Sequence, residues 1–205
     1  MKEPPTEEHL LQNTLWPEMQ KLYGHGFELF SLAVDVKNKM IASSCKAAKA
    51  EHADIILWQE QYSNNQSSFK QIDSLKGHEL TIVQMKFSND SNYLLSVSRD
   101  RSWKLFRRQI ETNNNTKGQL ELFRSISSKN SYHTRIIWSC DWSHDDKYFV
   151  TTSRDKKACI WYGSEGKNSP EEKPVTCKGS DTSILQLESA ITACAFAPET
   201  TSDNQ

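Results

Sequence analysis

His133, Ser153 and Asp155 are the residue types of a nucleophilic relay. In such a relay an imidazole takes the proton of a hydroxyl and a carboxylate orients the imidazole. A second set, His78, Ser98 and Asp100, repeats these types at the same mutual spacing. An active site is built once, whereas polar residues that recur along a chain with the same flanks are the mark of a structural network. The physics favours that reading, because a carboxylate buried beside a turn needs donors, and imidazole, hydroxyl and turn amides supply them. Both sets are therefore read as structural, and no catalytic residue is expected. The cysteines, Cys45, Cys140, Cys159, Cys177 and Cys194, are odd in number, widely spread and contain no CxxC pair. A zinc site, a redox dithiol and a cluster-binding triad thus lack support, as does a glycine-rich phosphate cradle. No metal and no cofactor are expected.

The elements that must position these residues follow from a repeat. Aligned on the Ser-Arg-Asp tripeptides at 98–100 and 153–155, His78 falls on His133, Ser88 on Ser143, Asp90 on Asp145, Tyr93 on Tyr148 and Phe106 on Trp161. A further copy lies upstream, from Gly24-His25 to Trp58, with extra residues after Lys46, and another begins at "SAITACAFAPE". Within each copy, short alternating runs such as "TIVQMKF", "YLLSVS" and "SWKLF" are separated by polar turns. The runs "SFKQIDSL" and "QLELFRSIS" add an extended segment before the next histidine, which gives the strand count of a propeller blade. The expected fold is all-β: about three full blades plus a partial fourth, an incomplete propeller. The division is a polar lead-in over 1–14, a blade with an insertion over 15–76, blades over 77–132 and 133–179, and the truncated start of the next over 180–205. "QEQYSNNQSS", "RRQIETNNNTKG" and "YGSEGKNSPEEK" read as polar loops between third and fourth strands.

The Gly-His opening, the Ser-x-Asp turn and the Trp closing a third strand resemble the WD40 repeat. In that family the His, the strand Ser, the turn Asp and the Trp form a hydrogen-bond chain inside each blade. The resemblance implies the full chain at His133, Ser153, Asp155 and Trp161. It implies a shortened one at His78, Ser98 and Asp100, where Phe106 replaces the Trp. No chain is expected in the first copy, where Cys45 and Ala47 stand at the Ser and Asp positions. The repeat length, about 53–55 residues, exceeds the usual ~40–45 of a WD40 repeat by the polar insertions.

Over "PPTEEHLLQNTLWPEMQKLYGHGFELF", "ASSCKAAKAEHADIILW" and "IIWSCDWSHDDKYFVTTSRDKKACIW" the sequence is similar to a narrower family, the WD40 subunit of the Elongator complex. The similarity runs from Pro4 to Trp161. It implies a non-catalytic scaffold, partnered by other Elongator subunits, that supports wobble-uridine modification of transfer RNA. It also implies links to signalling proteins and a cytoplasmic, also nuclear, location. A generic WD40 adaptor in signalling or substrate delivery is the alternative. Three copies and one strand cannot close a ring of about four to eight blades, so the chain is expected to be a fragment of a longer protein.

Composition bounds what such a surface can bind. With 25 basic and 26 acidic residues among 205, a formal net charge of -1 gives no global attraction to nucleic acid. No apolar run approaches the ~18 residues of a membrane span, and the first residues lack a signal-like apolar stretch, so no membrane partner is expected. Charge is local instead. The network brings the His loop and the Asp turn to one rim, which then carries Arg99, Arg101, Arg135, Arg154, Lys156 and Lys157, with Lys46 and Lys49 from the first copy. Such a band suits RNA phosphates or an acidic segment of a partner. Trp103, Trp138 and Trp142 are candidates to stack on bases, although Trp142 shares its repeat position with Phe87 and reads as core.

Overall fold

A computed structural model describes residues 19–63, 66–109, 119–163 and 184–197. The lead-in over 1–14, Cys177, the division at 179/180 and most of the second and third polar insertions lie outside the described residues. The regular elements of the described residues are all strands, apart from one 3-10 turn at Ala50–His52. β1 (Leu29–Asp35), β2 (Met40–Cys45), β3 (Ile55–Ser63) and β4 (Gln66–Leu75) form the first sheet. β5 (Ile82–Phe87), β6 (Tyr93–Ser98), β7 (Trp103–Arg108) and β8 (Leu120–Ile126) form the second. The third contains β9 (Ile137–Trp142), β10 (Tyr148–Ser153), β11 (Lys157–Tyr162) and β12 (Ile184–Gln186). Every sheet is an antiparallel meander in chain order, three successive blades of an unclosed propeller. Ile184–Gln186, grouped by sequence with the next unit, pairs with β11 and completes the third sheet.

The two central strands of the middle sheet, β6 and β7, are buried on both faces over most of their length, so they lose the polar alternation of a half-exposed strand. All six residues of β6 are buried. Leu94 and Phe106 pack toward the first sheet with Ala42, Leu57 and Ile82. Leu95, Val97, Trp103 and Leu105 pack toward the third with Phe149 and Trp161. Trp103 is fully buried, with ring centroids 5.0 Å from Phe149 and 5.1 Å from Trp161 in edge-on contacts. That answers its orientation: it is core and cannot stack on a base. Trp142 is core too, and its indole N–H donates to the Lys86 carbonyl at 3.2 Å.

Polar clasps join the sheets. Asp35, its side chain wholly buried, accepts from Arg108 of the second sheet at 2.7 Å and from Asn38 beside it. Asp146 of the third sheet accepts the backbone N–H groups of Asn89 at 2.9 Å and Asp90 at 2.8 Å in the second. Lys86 pairs with Asp141 across the same boundary. Gly163 belongs to this joint: a Cβ there would collide with the Asp146 carbonyl oxygen and approach Trp142 to 2.8 Å.

One insertion departs from expectation. "QEQYSNNQSS" continues β3 and β4 as a long hairpin, paired from Gln59↔Lys70 to Ser63↔Gln66. Alternating polar side chains on a two-stranded ribbon satisfy the backbone without needing a core, so the stretch need not be a loop.

Candidate functional site

The loop before each inner strand carries the histidine, and the turn between the second and third strands carries the aspartate. In the second sheet His78 Nδ1 lies 3.1 Å from Asp100 Oδ2 and 3.0 Å from Ser102 Oγ, while Nε2 lies 2.8 Å from Ser96 Oγ. Asp100 also accepts the backbone N–H groups of Glu79 at 2.9 Å and Ser102 at 2.8 Å. In the third sheet His133 Nε2 lies 2.9 Å from Thr151 Oγ1, and Trp161 donates its indole N–H to that same oxygen at 2.8 Å. With a neutral ring protonated at Nδ1, the second sheet runs hydroxyl to imidazole to carboxylate, whereas the third runs indole to hydroxyl to imidazole and leaves His133 Nδ1 buried without a hydrogen bond among the described residues.

The hydroxyl of this chain is therefore Ser96 or Thr151, and not Ser98 or Ser153 as the sequence suggested. The register explains the correction. Phe149 pairs with Trp161 and Thr151 with Cys159, so Thr151 lies one diagonal step from the indole, whereas Ser153 lies beyond the paired end of β11. Ser98 and Ser153 have a separate task in the turn. Ser98 Oγ faces the carbonyls of Leu80 and Thr81 and accepts the Asp100 N–H at 3.1 Å, and Ser153 does the same with the Arg135 carbonyl and the Asp155 N–H at 3.2 Å each. No hydrogen bond joins Ser153 to His133, so the Ser-His-Asp relay weighed for these residues is not assembled.

The first copy also differs from expectation. His25 Nε2 lies 2.8 Å from Ser43 Oγ, and Trp58 donates to Ser43 Oγ at 2.7 Å, so the upper half of the chain is present. Cys45 and Ala47 fall at the turn positions; they remove the carboxylate and leave the hydroxyl two residues earlier in place. The Ala47 N–H and C=O bond instead to the Thr81 hydroxyl of the next sheet, both at 2.9 Å. As expected from Phe106, the second chain ends at Ser96 with no indole donor.

Asp155 stands 3.5 Å from His133 Nδ1 and spends its oxygens on the N–H groups of Thr134 at 2.7 Å and Lys157 at 3.0 Å. Burial holds the imidazoles of His78 and His133 below their ordinary value, against the pull of the facing carboxylates. Burial pushes the Asp100 carboxyl up, but His78, Ser102 and the Glu79 N–H together bring it far below the carboxylate range. Burial, helped by the Asp155 charge, pushes the Cys159 thiol up to about 12, and burial beside Cys194 and Asp141 raises Cys140 well above the ordinary value, so neither is a ready thiolate. No group of His, Cys, Asp or Glu among the described residues is arranged to hold a metal ion.

The rim outside this network carries the basic residues. Arg99, Arg101, Arg135, Arg154 and Lys156 are exposed and Lys157 is half-buried. None of the six has a side-chain hydrogen bond or ion pair among the described residues. Arg101 and Lys156 occupy the same turn position with φ of 67° and 70°, a left-handed conformation that disfavours side chains. Lys104, which sequence reading passed over, lies buried beneath Gly77 (φ 138°), where a Cβ would meet its Cε at 2.8 Å. Trp138 is half-buried at the same rim.

The model of the "WD domain, G-beta repeat" family matches residues 69–107, from within β4 through most of β7, and 126–162, from the end of β8 through β11. These two segments are WD40 repeats. Over 207 residues, all of this chain, it is 50% identical to Elongator complex protein 2 of Danio rerio. It is 48% identical over 199 residues to the protein of that name in Mus musculus and 46% over 198 in Homo sapiens, each covering 97% of this chain. It spans 23–24% of the length of these relatives. The WD40 match over 69–107 and 126–162 thus sits inside a likeness that also covers β1 to β3 and the extension after Lys46.

Proposed function

We propose that the protein containing this chain is a non-catalytic scaffold subunit of the Elongator complex and supports wobble-uridine modification of transfer RNA through protein–protein contacts. The supporting observation is the 46–50% identity over nearly the whole chain to relatives named Elongator complex protein 2. The site geometry agrees with a scaffold: its histidines, carboxylates and indoles are turned inward to hold blades, and the rim outside carries cations that have no ion-pair partner among the described residues. A cytoplasmic and nuclear location, and contacts with signalling proteins, go with this reading. Transfer RNA contact through the rim is the second reading, favoured by the cations without ion-pair partners.

The test is affinity purification of the full-length protein, followed by quantification of modified wobble uridines in transfer RNA after its depletion. Co-purification of Elongator subunits and loss of the modified nucleosides are expected. Association with unrelated proteins, with the nucleosides unchanged, would favour the generic adaptor in signalling or substrate delivery. Charge reversal at Arg154, Lys156 and Lys157 is expected to weaken partner or transfer RNA binding without lowering stability, and unchanged binding would remove the rim from the function.

A further inference from the structure

Lys104 stands where the other two blades are apolar. The third-strand residue opposite the network hydroxyl is Ile56 across from Ser43, Lys104 across from Ser96 and Cys159 across from Thr151. All three are buried, Lys104 at 8% exposure. Ile56 and Cys159 fill the place as small apolar groups, so the blade does not ask for a cation there.

What covers the position also differs. Tyr132 precedes the histidine of the third blade and packs edge-on against Trp161, with ring centroids 5.8 Å apart. Gly77 precedes the histidine of the second, exposed and with φ of 138°. A Cβ on Gly77 would come within 3.1 Å of Lys104 Cδ and 3.4 Å of Nζ. The stem therefore runs beneath bare backbone, and a lysine in that posture buries its methylenes while its head seeks water. Lys104 Nζ makes no hydrogen bond or ion pair among the described residues. The fully enclosed side-chain polar atoms that lack a partner are Ser44 Oγ, Trp103 Nε1 and His133 Nδ1, so the Lys104 amine is not sealed in and meets solvent beside Gly77. The charges facing it are the Asp100 and Glu79 carboxylates, with the His78 ring behind Asp100. Burial lowers the amine from its ordinary value in spite of those carboxylates. A lysine so placed spends more of its time as free amine, the nucleophilic form.

We propose that Lys104 is a modification site, a nucleophilic amine that takes acyl groups from small acyl thioesters. The nitrogen lone pair attacks the thioester carbonyl carbon, a C–N bond forms and the C–S bond breaks. The sulfur leaves as a thiol, carrying the proton that the nitrogen gives up. No electron donor or acceptor enters the step. The product is a neutral amide, and one cation is lost from beside Asp100 and Glu79. Nothing in this inference requires the scaffold reading.

The test incubates the full-length protein with S-acetylglutathione at about pH 8 and follows acetylation of each lysine by peptide mass spectrometry. Lys104 is expected to react at least fivefold faster than Lys70 and Lys129, which are exposed. Reaction through a transiently opened blade cannot give that order, because an opened lysine is at best as accessible as one always exposed. Gly77→Ala displaces the stem into solvent, and the Lys104 rate should fall at least threefold, with Lys70 and Lys129 unchanged. Glu79→Gln, a change at an exposed residue, removes a carboxylate that favours the charged amine and should raise the Lys104 rate. A Lys104 rate no greater than that of the exposed lysines would overturn the inference, as would a rate indifferent to both variants. Should Gly77→Ala fail to fold, the unsubstituted protein and Glu79→Gln decide.

Discussion

Trp161 and His133 meet at one hydroxyl, that of Thr151, which accepts the indole N–H at 2.8 Å and donates to the imidazole Nε2 at 2.9 Å. A β-branched residue is therefore the hub that joins the third strand of the blade to the loop of its inner strand. Thr151→Val keeps the shape and leaves the indole N–H without an acceptor and the imidazole nitrogen without a donor, in a site with no exposure. The expected loss is about 2–4 kcal/mol, since each stranded buried group costs roughly 1–3 kcal/mol. Ser153→Ala, which touches only the turn, should cost about 1 kcal/mol. Native-state hydrogen exchange of peptides covering 137–162 in the full-length protein measures both, and equal effects would contradict the assignment of Thr151.

Ser96 supports His78 alone, because Phe106 brings no donor. Ser96→Ala should therefore cost about 1–2 kcal/mol, less than Thr151→Val, by the same exchange measurement over 82–108. A larger loss than for Thr151→Val would mean that the second blade depends on a contact other than this chain.

The Asp35–Arg108 pair is the most buried ion pair between two blades. Arg108→Ala leaves the Asp35 carboxylate with Asn38 only, and a buried charge stripped of its partner costs about 3–5 kcal/mol. Asp35→Asn in the same chain should recover part of that loss. Absence of any recovery would show that Arg108 acts through packing and its bond to the Ser91 carbonyl rather than through charge.

Gly163→Ala should open the joint between the second and third blades, because the added methyl has the Asp146 carbonyl and the Trp142 ring in its way. Faster exchange is expected at Asn89 and Asp90 first, the two amides held by Asp146. Protection unchanged at those amides would mean that the backbone shifts without releasing them.

Acid should loosen the blades well before the carboxylates titrate. His25, His78 and His133 have values lowered by burial from an ordinary 6.5. Between that value and the lower native one, the unfolded chain binds protons that the folded chain refuses, so stability falls as pH falls. The contribution is complete above about pH 6.5 and fades below it, down to the native values. Exchange protection of the three sheets, corrected for intrinsic rate, should be lower at pH 5.5 than at 7.5, and His78→Gln should flatten part of that difference in the second sheet. A rise in protection on acidification would reverse the sign.

The strands, their order and the repeat were legible because alternation, turn residues and self-similarity are local. Pairing partners were harder. A motif names residue types at fixed distances, and Ser98 and Ser153 satisfied it, but the hydroxyl that an imidazole reaches is decided by strand register. Ser96 and Thr151 lie on the same faces as Ser98 and Ser153, two residues nearer the aromatic, and period-two reasoning could have offered them as rivals. The clasps of Asp35 and Asp146 were illegible, since they join turns of different blades. The outer ends of β3 and β4, paired from Gln59↔Lys70 to Ser63↔Gln66, misled because polarity alone does not separate a loop from a solvated ribbon.

The Asp146 clasp has a consequence for synthesis. Asn89 and Asp90 find their acceptor only 57 and 56 residues further along the chain. At about 5–20 residues per second, that acceptor follows the turn from the ribosome by roughly 3–11 s. Over the last 20 of those residues, from Ile126 to Asp146, the second blade has a finished meander and an unclaimed turn. The third blade, as it emerges, is the template on which its predecessor finishes folding.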